Sequence, residues 1–73
     1  MPLLEQLADK ICDELHDAGS YAQMALDHRE DHPELARVLH GISQEEMGHF
    51  EKLHAEATKL IGEIKRKMEA FEA

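Results

Sequence analysis

Two stretches of the chain carry helical periodicity, and one polar stretch separates them. In the first, Leu4, Leu7, Ile11, Glu14, Ala18, Tyr21, Ala25 and His28 recur at alternating steps of three and four, the spacing that keeps one helix face towards a partner. In the second, Leu35, Leu39, Ile42, Glu46, His49 and Leu53 recur in the same way. Beyond Leu53 the stripe moves to Ala57, Leu60, Ile64, Met68 and Phe71, a stutter expected to turn the face slightly. Between the two stretches, Asp27-His28-Arg29-Glu30-Asp31-His32 ends on Pro33. Pro33 and Glu34 suit a first helical turn, where no N–H is needed and the dipole favours an acid, and Asp31 or His32 can cap it. The spacing predicts a helix over about 3–28, a turn over about 29–32 and a helix over about 33–71, with a break near Gly62 as an alternative. The short connection makes the helices antiparallel neighbours.

The expected fold class is therefore all-α, a single helical hairpin of 73 residues. A monomer of this length buries only about 60% of its unfolded surface. Burial and chain entropy then nearly cancel, so a partner or a metal is expected to help. The second helix outlasts the first, and its overhang carries Leu60, Ile61, Ile64, Met68 and Phe71. That segment should either fold back after Gly62 or pack between dimers. Sixteen acids against eight Lys and Arg give a formal charge of −8. Such a balance argues against nucleic acid and anionic membrane as main partners, because both reward a basic face. No stretch approaches the roughly 20 apolar residues of a membrane span. Cys12 has no cysteine partner, which fits a reducing, cytoplasmic setting.

The informative positions are those where the seams break the apolar rule. Glu14 interrupts the first, and Glu46 with His49 interrupts the second. A lone carboxylate in a seam is costly unless it is paired, metal-bound or protonated. With the chain folded about residues 30–31, Glu14 and Glu46 each lie about sixteen residues from the turn, hence at one depth of about 24 Å. His49 follows one turn on, over the same face. Two Glu and one His underfill a metal site of this kind, whereas a two-fold copy supplies four Glu and two His. That is the ligand set of di-iron carboxylate bundles; it suits iron or manganese and permits zinc. Gly41, Gly48, Ala55 and Gly62 form a further stripe, each seven apart, where close approach by another group or mere tolerance at the surface are the alternatives.

Glu14 with Tyr21 seven residues on, and Glu46-Met47-Gly48-His49 on the next helix, resemble half of a ferritin-like protein. The likeness is closest to the encapsulated ferritin family and runs over about residues 4–60. The resemblance implies that two-helix subunits pair as homodimers into a ferritin-like four-helix bundle, and that dimers join in a ring. It implies a di-iron centre across the interface, held by Glu14, Glu46 and His49, with Mn, Zn or Ca as substitutes. In that setting Glu46 would bridge the metals, Glu14 and His49 would be terminal ligands, and Tyr21 would hydrogen-bond a bridging carboxylate. The implied activity is a ferroxidase, oxidising Fe(II) to Fe(III) with O2 for iron storage or detoxification, in the cytoplasm or inside an encapsulin shell. The family's shell-docking peptide finds no counterpart in Lys67-Met68-Glu69-Ala70-Phe71-Glu72-Ala73, which makes the shell the looser expectation.

Two other functions compete. One is a non-enzymatic acidic oligomerisation module in which Glu14, Glu46 and His49 form a metal-free polar network. The other is a rubrerythrin-like peroxidase, weakened because the chain lacks the cysteine pairs of a rubredoxin-type donor. His16, His40 and His54 fall off the seams and are expected at the surface, as are Glu45 and Glu56. Asp13, Asp17 and Glu51 form a solvated acidic face that could draw Fe(II) inward. Met24, Met47 and Met68 are expected to pack. His28 and His32 at the turn are a weaker second candidate for metal binding.

Overall fold

The computed structural model describes residues 2–72. Over that range the chain is all-helical, with α1 spanning Pro2–His28 and α2 spanning Pro33–Glu72. The turn needs no glycine, since no residue among those described has a positive φ. Instead the His32 N–H donates to the His28 carbonyl at 2.9 Å, and the Ala36 N–H donates to the His32 carbonyl at 2.9 Å. One helical turn thus carries over from α1, and His32 rather than Asp31 supplies the carbonyl that opens α2. Pro33 follows at the one position where its missing N–H costs nothing.

The helices meet through small side chains. Ala18 and Ala25 of α1 are buried, as are Ala36, Leu39, Ser43 and Ala57 of α2. Half-buried Glu46, Phe50, Leu53, Leu60 and Ile64 complete the inner column of α2. From Ala36 to Ile64 that column runs in unbroken steps of three and four, so the expected stutter at Leu53 is absent. The seam read from the sequence is corrected by one column. Leu35 and His49 are exposed and Ile42 is half-buried; all three lie on the flank. Alanine and serine let two backbones approach closely, and the bulkier leucine and isoleucine are displaced beside the gap.

The result is a rod one layer thick, with extents of 62 × 16 × 12 Å and a radius of gyration of 17.5 Å. A compact domain of this length would have a radius near 11 Å, by about 2.2·N^0.38. No large side chain among the described residues is fully buried. Met24, Met47 and Met68, expected to pack, are exposed within the chain, because a single layer has nothing behind it. α2 continues through Gly62 to Glu72 without a break, which removes the fold-back alternative. Leu3 and Leu7 of α1 reach Glu56, Lys59, Leu60 and Glu63, so the turns beyond lack cover and Phe71 is 93% exposed. Neither helix is long and apolar enough to cross a membrane.

Candidate metal centre

Midway along the seam the small residues give way to acids. Glu14 stands one turn before the buried Ala18, and Glu46 stands one turn after the buried Ser43. The Ser43 hydroxyl is satisfied within its own helix, donating to the His40 carbonyl at 2.6 Å. It therefore makes no demand on the two carboxylates, while its small size keeps the helices close beside them. His49 Nδ1 lies 3.3 Å from Glu14 Oε2 and 3.8 Å from Glu46 Oε1. Among the described residues this is the one group of three or more His, Cys, Asp and Glu whose ligand atoms all lie within 4.8 Å of one another. Residues 35 apart in sequence are joined in it, so the common depth expected from the turn is observed.

The donor set fits a divalent ion. Bonds of about 2.0–2.2 Å to carboxylate oxygen and imidazole nitrogen separate the donors around a tetrahedral ion by about 3.3–3.6 Å. The His49–Glu14 spacing already meets that value, and the His49–Glu46 spacing needs only slight closure. The side chains of Glu14 and Glu46 are 24% and 21% exposed, against 55% for His49. The trio is thus seated in the seam on its carboxylate side and open to solvent on its imidazole side.

Electrostatics mark the same pair. Hydrogen bonding between the carboxyls pushes Glu46 above its ordinary value of 4.5 and Glu14 below it, as two like charges at this distance favour sharing one proton. Partial burial raises both; His49 and Lys10 lower Glu14, and Asp17 adds to the rise at Glu46. A cation in place of the shared proton would neutralise the cluster more completely.

Tyr21 lies elsewhere. It packs against the buried cluster of Ala25, Ala36 and Leu39, and among the described residues no hydrogen bond joins its hydroxyl to Glu14, Glu46 or His49. Of the other expectations, His16, His40, His54, Asp13, Asp17, Glu45, Glu51 and Glu56 are all exposed, as is Cys12. Gly41 and Gly48 have nothing within 4 Å of where a Cβ would stand, and at Gly62 a Cβ would meet only Arg66 Nη1 at 3.5 Å, an ordinary contact, so no group of the chain requires glycine along that stripe. Lys10 and Ser43 were missed as shapers of the site, while Asp17 was expected only as part of an acidic approach. Their one signal was spacing: each sits three or four residues from a ligand.

Compared with protein-family models, curated proteins and solved structures, the chain matches none.

Proposed function

We propose that two copies of the hairpin pair about a two-fold axis through the flank that carries Leu35, Ile42 and His49, making a ferritin-like four-helix bundle. Its middle holds two copies of Glu14, Glu46 and His49, and its activity is that of a ferroxidase: Fe(II) is the substrate and O2 the electron acceptor. The observation that carries this reading is the convergence of three metal-ligand side chains, within 4.8 Å, on the open side of a rod only 12 Å thick. Exposed Met24 and Leu35 near that flank supply apolar surface for the second copy to cover. Each is about half exposed, so covering it would gain roughly 0.7–1.5 kcal/mol, half the value for a wholly exposed side chain.

Each residue then has a task. Glu46, whose carboxyl is raised above its ordinary value, would be shared between two Fe(II), and Glu14 and His49 would each help hold one. Carboxylates compensate the added positive charge as Fe(II) becomes Fe(III), and the neutral imidazole fixes the site's geometry. Asp17, whose charge is felt at Glu46, lies on the approach and favours cation entry. Tyr21 would meet a carboxylate only across the pair. The overhang offers the surface for a ring of dimers, and cytoplasmic housing in an encapsulin shell extends the same reading.

The test is aerobic addition of Fe(II), followed by the near-ultraviolet absorbance of ferric product, alongside light scattering. Wild-type protein should oxidise Fe(II) faster than buffer, and iron or calcium should raise the apparent mass. Glu46→Ala and His49→Ala should each lose at least ten-fold in rate, since even partners behind the ligands are worth about 10–100-fold. Variants as fast as wild type would sink the proposal. One observation favours a second reading, a metal-free oligomerisation module: His49 already contacts both carboxylates. That reading requires an apparent mass indifferent to chelator.

A further inference from the structure

A second trio of donors sits at the other landmark of the hairpin, its tip. His28 Nδ1 lies 3.2 Å from Asp31 Oδ2, and His32 Nε2 lies 3.8 Å from the same oxygen. The two rings lie tilted at 47° with centroids 6.0 Å apart. Their relation is set by backbone, not by chance of side-chain placement. The His32 N–H to His28 carbonyl bond preserves a helical i, i+4 relation across the end of α1, and such positions share one face.

We propose that His28, Asp31 and His32 form a binding site for a borderline transition-metal ion of the zinc type, separate from the mid-hairpin centre. Two of the three donor distances favour it. Imidazole and carboxylate donors on one tetrahedral ion lie about 3.3–3.6 Å apart. The His28–Asp31 spacing is already there and His32 must close on Asp31 by a few tenths of an ångström, while the two imidazole nitrogens, which stand more than 4.8 Å apart, must swing together by over an ångström. The trio is looser than the mid-hairpin one, but all three residues are exposed, so rotation about their side-chain bonds meets no packing.

The charges agree. Asp31 is held below its ordinary value chiefly by its bond with His28, so it is an anion ready to meet a cation. The chain's charge of −8 adds a general attraction for cations. Two nitrogens and one oxygen select zinc, nickel or copper over calcium and magnesium, which prefer oxygen alone. Water would fill the remaining positions. Because His28 ends α1 and His32 opens α2, the ion would tie the helices together at the tip, and binding to the folded state alone must stabilise it.

The probe is Zn2+ alone, read by the imidazole nitrogen signals of 15N-labelled protein. In wild type and in His49→Ala alike, His28 and His32 should shift together with one midpoint, and the thermal midpoint should rise with added Zn2+. Asp31→Asn, which keeps size and exposure, should weaken that midpoint at least five-fold, and His28→Ala should remove the His32 shift. Equimolar Ca2+ should shift neither ring. The site is refuted if the two rings titrate apart, if either stays still, or if Asp31→Asn leaves the midpoint within two-fold. Because His49→Ala removes the mid-hairpin ligand, failure there and failure at the tip are told apart.

Discussion

Two levels of one seam, about two to three helical turns apart, behave in opposite ways. Towards the turn, Tyr21 covers Ala25, Ala36 and Leu39, and a single chain closes its own packing. At mid-hairpin the same two helices present Glu14 and Glu46, with His49 on the flank, and the single chain leaves the level open. The first level explains why the chain is a hairpin. The second explains why a hairpin is not enough: two carboxyls pressed together contribute little to folding until a proton, a cation or a second copy joins them.

The comparison can be broken most severely at the closed level. Leu39→Ala removes the largest buried side chain there and should cost about 2–5 kcal/mol, read as loss of helical circular dichroism or a lower denaturation midpoint. A change below 1 kcal/mol would mean that the turn-side packing does not hold the hairpin. Glu46→Leu should make the open level resemble the closed one. It should raise the thermal midpoint of the metal-free protein while abolishing any response to Fe(II), in keeping with the gain often seen when polar seam groups become hydrocarbon.

The effect of pH on the metal-free protein is smaller and has two signs. Glu46 is raised, so its contribution is complete below 4.5 and is lost as the pH climbs through the raised value. Glu14 is lowered, so its contribution is present above 4.5 and is lost as the pH falls through the lowered value. Relative to Glu46→Gln, wild-type protein should therefore lose midpoint as the pH rises from 4.5 towards neutrality. A flat difference would show that the two carboxyls do not share a proton. The smallest effect is expected away from both levels. Gly41 has open space around it, so Gly41→Ala should stabilise the chain by about 0.5–1 kcal/mol through helix propensity alone.

The sequence made much of this legible. Pro33 and Glu34 mark where α2 starts, and equal distances from the turn bring Glu14 and Glu46 to one depth. What escaped was which column of α2 faces α1. Leu35 and Ile42 look like core by hydrophobicity, yet Ala36 and Ser43 occupy the gap, because the closest approach of two backbones selects for small volume rather than for apolarity. Periodicity alone also could not decide whether Gly62 ends a helix; without a positive φ or a following proline, its backbone stays helical. Tyr21 matched the family pattern by spacing, but seven residues are about 10 Å of helix, too far for a hydrogen bond to Glu14 within one chain.

A slab 12 Å thick has no interior from which a bound ion must escape. Under the proposed pairing, the door to the centre is the contact between copies itself. Iron residence time would then follow the lifetime of the pair, so diluting the protein should speed release of metal to a competing chelator even though no side chain has changed.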